Sequence, residues 1–183
     1  MSYILVTGGV RSGKSAFAER LAGEQRRVLY VATGQAWDDE MRARIDRHQQ
    51  RRPDRWGLLE VRERLAEPLA TALSESAWEG VLIDCLSTWV STLLMNLPDD
   101  QWRTGETRAR ILEEARQLVG CLHDSQVPAV VVTNETGLGG VAMTPLGRAF
   151  QDLLGEVNQV VGTRAQEAYL VVAGRSFRLG DPS

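Results

Sequence analysis

The chain has 183 residues, 43% of them hydrophobic and 25% charged, which suits one globular domain, 1–183, with a full core. Its net charge of -3 gives no electrostatic footprint for nucleic acid, and no apolar run approaches the length of a membrane span. Cys85 and Cys121 have neither metal nor redox spacing, so free thiols in a reducing cytoplasm are expected.

Tyr3-Ile4-Leu5-Val6-Thr7 reads as the first strand, which leaves no room for a signal peptide. Gly8-Gly9-Val10-Arg11-Ser12-Gly13-Lys14-Ser15 comes next and fits G-x-x-x-x-G-K-[ST]. A helix is expected from about Lys14 to Ala22. Strand, glycine loop, helix is the context this motif requires. Its N–H groups and the helix N-terminus are suited to hold phosphate oxygens. Lys14 would reach the outer phosphates and Ser15 would bind Mg²⁺. Lys14 is also the only lysine of the chain; every other basic residue, histidines aside, is arginine. A slim, flexible point charge suits a tight phosphate cradle better than a planar guanidinium.

Val28 to Thr33 is a continuous apolar run of the kind found in parallel strands buried on both faces. The Thr33-Gly34-Gln35 turn is expected at the same sheet edge as the phosphate loop, where open α/β sheets bind ligands. Trp37 to Arg52 reads as a helix that Pro53 stops. It carries His48 and the arginines Arg42, Arg44, Arg47, Arg51 and Arg52. The arginines are either a solvated face or a second anion site. His48 is either structural or a nucleophile toward phosphorus. His123, near the end of a later helix, has no such company and reads as structural or surface.

Trp56 to Arg62 is expected as a short strand with Glu60, and Arg64 to Leu73 as a helix. Val81-Leu82-Ile83-Asp84 is an apolar strand ending in a carboxylate, which would hold Mg²⁺ directly or through water. Cys85 to Leu97 is an apolar helix stopped by Pro98. Its surplus of apolar residues suits core packing, a subunit interface or a substrate wall. Thr104 to His123 is amphipathic scaffold. Val127 to Thr133 is a further buried strand leading into Asn134-Glu135. Those two residues either contact substrate or metal, or simply end the strand. Thr144-Pro145 opens the last long helix as N-cap and first-turn proline. Tyr169 to Leu179 closes the chain as a strand or hairpin. Alternating strands and helices predict a doubly wound α/β fold with a mainly parallel sheet, of P-loop NTPase type.

Taken together, these motifs resemble the bifunctional adenosylcobinamide kinase / adenosylcobinamide-phosphate guanylyltransferase family of cobalamin biosynthesis. The resemblance runs from about Tyr3 to Leu179. It rests on the phosphate loop, on Tyr30-Val31-Ala32-Thr33, and on Asp38-Asp39-Glu40-Met41 through Arg44-Ile45 to His48. It rests further on Arg52-Pro53 with Trp56 and Glu60, Asp84-Cys85-Leu86 with Leu93-Leu94, Val132-Thr133-Asn134-Glu135, and Leu146 to Asp152 with Gly155, Asn158 and Gln159. Thr92, the run Gly140 to Pro145, and Gln166 depart from the family's pattern.

The resemblance implies two reactions. The terminal phosphate of ATP or GTP passes to the aminopropanol hydroxyl of adenosylcobinamide. GMP from GTP is then joined to that phosphate, giving adenosyl-GDP-cobinamide and pyrophosphate. It implies a covalent GMP on His48, with Lys14 at the phosphates. Guanine-nucleotide contacts would come from Ala32, Thr33, Gly34, Gln49, Gln50, Arg51, Arg52, Glu60 and Asp84. It also implies a RecA-like sheet and a homotrimer with sites between subunits. Two competing readings of the residues are a small-molecule P-loop kinase without guanylyl transfer and a nucleotide-dependent regulatory module.

Overall fold

In a computed structural model of the chain, residues 3–23, 26–34 and 53–182 are described. The expected helix over Trp37–Arg52 and Gln35 of the turn before it lie outside them.

Seven strands form one sheet: β1 (Tyr3–Gly8), β2 (Val28–Ala32), β3 (Gly57–Glu60), β4 (Gly80–Asp84), β5 (Ala129–Val132), β6 (Glu167–Val172) and β7 (Arg175–Arg178). Their spatial order is β3-β2-β4-β5-β1-β6-β7. Every neighbouring pair is parallel except β6 and β7. The described helices are α1 (Lys14–Ala22), α2 (Ala66–Glu75), α3 (Leu86–Met95), α4 (Gly105–Asp124) and α5 (Pro145–Gly162).

The period-two geometry of a strand divides the apolar residues between the two faces. Val28, Tyr30, Leu82, Val130 and Val132 pack with Ala18 and Ala22 of α1. Leu29, Val31, Val81, Ile83, Ala129 and Val131 pack with the buried faces of α2 to α5. Both faces are covered, which is why the central strands read as unbroken apolar runs rather than alternating ones.

Several boundaries differ from the expected ones for identifiable reasons. The helix expected from Arg64 starts at Ala66, which places Pro68 in the first turn, where a missing N–H leaves no bond unmade. The strand expected from Trp56 starts at Gly57, whose added Cβ would meet the Trp78 ring at 2.2 Å. The last element resolves as a hairpin. Ala173 and Gly174, at φ of 50° and 75°, make the tight turn between β6 and β7, where positive φ is what the strand twist requires.

The apolar helix after β4 fills the core. Leu86, Trp89, Val90 and Leu94 are fully buried within the chain, and the Trp89 indole N–H donates to the Glu63 carbonyl at 2.6 Å. Trp89 therefore needs no subunit interface to cover it. His123 packs edge-on against Tyr3 with ring centroids 5.7 Å apart, a structural contact. The Tyr3 hydroxyl donates to the Val161 carbonyl at 2.5 Å. Burial pushes its ionisation above the ordinary tyrosine range, against a smaller opposing effect of Arg164, so it stays a donor. Cys85 and Cys121 are both free thiols.

Candidate active site

The register of the sheet puts the predicted site residues on one edge. Ala32 lies opposite Glu60 on one side and opposite Asp84 on the other. Asp84 lies opposite Val132, and Val132 opposite Val6. One row therefore runs Glu60, Ala32, Asp84, Val132, Val6 across five parallel strands. Just beyond that row, toward the C-terminal ends of the strands, lie the phosphate loop, Thr33-Gly34, Cys85 and Thr133-Asn134-Glu135.

The phosphate loop is shaped by close backbone packing. A Cβ on Gly8 would stand 2.4 Å from the Val171 carbonyl oxygen of β6, so only glycine fits. Gly13 has φ of 96°, and its added Cβ would come within 3.3 Å of the Gly174 Cα. Arg11 also has positive φ, 57°. The Gly174 N–H donates to the Ser12 carbonyl at 2.8 Å, and the Glu135 N–H to the Gly8 carbonyl at 3.1 Å. The loop is thus tied to the β6–β7 turn on one side and to the end of β5 on the other.

Lys14 is only 4% exposed, and its Nζ donates to the Gly9 carbonyl at 3.1 Å. The ammonium therefore sits over the loop at the N-terminus of α1, on the side where phosphate oxygens are held in this motif. Ser12 Oγ and Thr7 Oγ1 are buried with no hydrogen-bond partner among the described residues. Buried hydroxyls of this kind call for a partner, and phosphate oxygens are chemically suited to be one.

The neighbouring strand ends are clamped together. The Thr33 hydroxyl donates to the Cys85 carbonyl at 2.6 Å and accepts from the Cys85 N–H at 3.0 Å. The Asp84–Cys85 peptide bond is cis. Asp84 Oδ2 accepts from the Tyr30 hydroxyl at 3.2 Å, and Tyr30 stacks on Trp56 with centroids 6.5 Å apart. Glu60 is exposed at the end of β3, the outermost strand of the sheet among the described residues.

At the end of β5, a polar network unread in the sequence fixes Thr133-Asn134-Glu135. The Thr133 hydroxyl donates to Asn158 Oδ1 at 2.7 Å, and Asn158 Nδ2 donates to the Asn134 carbonyl at 3.0 Å. Glu135 Oε1 accepts from the Gly137 N–H at 2.7 Å. Asn158 lies on α5 among the apolar residues Leu154, Val157 and Val161. Asn158 is half-buried there, and its only signal in the sequence was its place in the block from Leu146 to Gln159 that resembles the family.

His48 and the residues Gln49, Gln50, Arg51 and Arg52 lie outside the described residues. Those described, namely Gly8 to Ser15, Ala32, Thr33, Gly34, Glu60 and Asp84, share the ligand edge. Among the described residues no three His, Cys, Asp or Glu side chains cluster as a metal cage. Asp84 and Ser15 offer a carboxylate and a hydroxyl at this edge, oxygen donors of the kind that could hold Mg²⁺ when phosphates and water complete its shell. The arrangement can hold a nucleoside triphosphate by its phosphates and stabilise charge during phosphoryl transfer.

Residues 4–179 match the cobinamide kinase / cobinamide phosphate guanyltransferase family. The chain is 41% identical over 180 residues to the bifunctional adenosylcobalamin biosynthesis protein CobU of Escherichia coli (strain K12), covering 96% of this chain and 98% of that one. It is 39% identical over 180 residues to CobU of Salmonella typhimurium, with the same coverage. It is 41% identical over 184 residues to the bifunctional adenosylcobalamin biosynthesis protein CobP of Pseudomonas aeruginosa, covering 97% and 98%. With the phosphate loop, the Asp84 edge and a match along nearly the whole length, the chain belongs to the cobinamide kinase / cobinamide phosphate guanyltransferase family, a bifunctional enzyme whose two transfers draw on nucleoside triphosphates.

Proposed function

We propose that both transfers run on the one ligand edge of a single nucleotide-binding unit, residues 1–183, with the roles divided among its loops and strand ends. Gly8 to Ser15 cradle the triphosphate through backbone N–H groups. Lys14 neutralises the outer phosphates, and Ser15 and Asp84 would hold Mg²⁺, whose positive charge would offset that of the phosphates. In the kinase step, the aminopropanol hydroxyl of adenosylcobinamide attacks the γ-phosphorus of ATP or GTP. The nucleoside diphosphate leaves and the hydroxyl proton is lost.

In the second step, a ring nitrogen of His48 attacks the α-phosphorus of GTP and expels pyrophosphate, leaving GMP on the imidazole. A phosphate oxygen of adenosylcobinamide phosphate then attacks that phosphorus and releases His48. Ala32, Thr33, Gly34, Glu60, Asp84 and the stretch Gln49 to Arg52 contact the guanine nucleotide. The arginines there would stabilise charge on the phosphates. A homotrimer in the cytoplasm is the assembly we infer. Among the described residues no helix is long and apolar enough to cross a membrane.

The observation that carries this reading is the buried ammonium of Lys14, on the same sheet edge as the carboxylate that ends β4. Incubation with Mg²⁺ and GTP labelled at the α-phosphorus, and then denaturation, tests it. Acid-labile, alkali-stable label is expected on the wild type and is expected to be lost in His48→Ala. Absence of label on folded, GTP-binding protein would remove the covalent step and leave a P-loop kinase.

A further inference from the structure

Between Glu135 and α5 the chain forms only one short turn of helix, Gly137–Gly139. In this segment Leu138 is 82% exposed, Val141 79% and Met143 92%. Single exposed apolar side chains are ordinary on any protein. Three within six positions, on a backbone held in one shape, are a different matter.

The hold comes from α5. Gln151 Nε2 donates to the carbonyls of Thr136 at 2.9 Å and Gly140 at 3.0 Å, and its Oε1 accepts from the Ala142 N–H at 2.8 Å. Arg148 donates to the carbonyls of Ala142 at 3.1 Å and Met143 at 2.9 Å. Gly140, with φ of 90°, takes a backbone conformation costly for other residues. At its start, the segment is tied to the phosphate loop by the Glu135 N–H on the Gly8 carbonyl. Two long polar side chains thus hold a segment that presents apolar ones to solvent and is tied at its start to the phosphate loop.

We propose that Leu138, Val141 and Met143 form a preorganised apolar wall on which the corrin ring of cobinamide packs, and that Arg148 and Gln151 are the positioning residues that set it. The inference rests on the phosphate-loop assignment above. The reacting hydroxyl sits on a short arm of the substrate, so the ring must lie against whatever borders the loop. On the β5 side that border is this segment. The corrin ring carries methyl groups between its amide side chains, and these gain from an apolar partner. A wall already ordered before binding spares the cost of ordering it. The nucleotide has no apolar surface of comparable extent, so the wall distinguishes the two substrates.

The test uses the full chain and measures KM for adenosylcobinamide and for GTP, with solution mass at the assay concentration. The variants are the triple Leu138→Ser, Val141→Ser, Met143→Gln, and the singles Gln151→Ala and Gln151→Glu. The triple variant is expected to raise the cobinamide KM about tenfold or more, with the GTP KM within about twofold of wild type. Gln151→Ala is expected to raise the same KM by about threefold to tenfold, and Gln151→Glu, which keeps the acceptor for Ala142 but turns a second acceptor on the Thr136 and Gly140 carbonyls, by at least as much. A cobinamide KM unchanged in the triple variant would overturn the wall. So would a fall in solution mass, which would assign the surface to a second copy of the chain. Lys14→Ala is run beside these. Undiminished turnover in that variant would overturn the phosphate-loop assignment itself, whatever the wall variants do.

Discussion

Two segments leave the ligand edge of the sheet side by side and are held by opposite means. The phosphate loop after β1 is fixed by backbone: glycines too close to Val171 and Gly174 for a side chain, and N–H groups from Gly174 and Glu135 on its carbonyls. The segment after β5 is fixed by side chains reaching from α5: Asn158 at its start, Gln151 along its middle, Arg148 near its end. Backbone packing makes a rigid cradle whose shape one added methyl group destroys. Side-chain bracing makes a surface whose shape can be tuned by substitutions on a distant helix. The first suits a ligand group that never varies, phosphate. The second suits the part of the reaction in which shape and apolar area decide the fit.

The sharpest break is expected at the cradle. Lys14→Ala removes the one lysine and its charge at the phosphates. We expect both transfers to fall by about 10²–10³-fold or more, since preorganised charge at a transferring phosphoryl group is the main source of rate. Gly8→Ala should do as much by a different route, because the loop must move off Val171, and it should also lower the melting temperature. Nucleotide binding by calorimetry and steady-state rates of both steps check the pair. A Gly8→Ala protein that binds GTP as the wild type does would show that the cradle is not held by backbone packing.

A middle effect is expected at Asn158. Truncation to alanine leaves the Thr133 hydroxyl and the Asn134 carbonyl without their partner, for a loss of about 1–3 kcal/mol in stability. Asn158→Asp keeps an acceptor for Thr133 and faces the Asn134 carbonyl with a second acceptor, so it should recover little. Thr133→Val should cost less than Asn158→Ala, because it breaks one of the two bonds. Urea unfolding of the three variants gives the order. If Thr133→Val cost as much as Asn158→Ala, the bond to the Asn134 carbonyl would contribute nothing and the bracing would be a single contact.

The same contrast explains what could be read from the chain in advance. The cradle is a local affair: G-x-x-x-x-G-K-S between an apolar strand and a helix states its own geometry, and Lys14, Ser15 and the β1–α1 boundary come with it. Asp84 was legible as the end of an apolar run, and the parallel sheet as unbroken apolar strands between helices. The bracing was not legible, because Asn158 and Thr133 are 25 positions apart, and Gln151 and Thr136 15 apart. No local pattern states which carbonyl a glutamine on a helix will reach. The helix of Trp89 left core packing, a subunit interface and a substrate wall open in the sequence, and its burial in the core decides for the first. A helix apolar nearly all round points to a cover, and nothing local says that the cover is the rest of the same chain. The Tyr30 hydroxyl on Asp84 was likewise hidden, since Tyr30 sits in a strand that reads as plain core.

The smallest effect separates bracing from mere helix stability. Thr144 and Thr104 are both N-caps: the Thr144 hydroxyl accepts from the Gly147 N–H at 3.0 Å, and the Thr104 hydroxyl from the Thr107 N–H at 3.2 Å. Each alanine variant should cost about 1 kcal/mol in stability. Their consequences for function should differ. Thr144 opens α5 next to Arg148 and the end of the segment it braces, so fraying there loosens the contacts to Ala142 and Met143. Thr104 opens α4, from which no bond reaches that segment among those seen in the described residues. Equal losses in melting temperature, with a raised cobinamide KM in Thr144→Ala alone, would show that the first turn of α5 acts through the segment it holds. A raised KM in both would mean that any loss of stability reaches the site, and that side-chain bracing is no more local than the backbone cradle beside it.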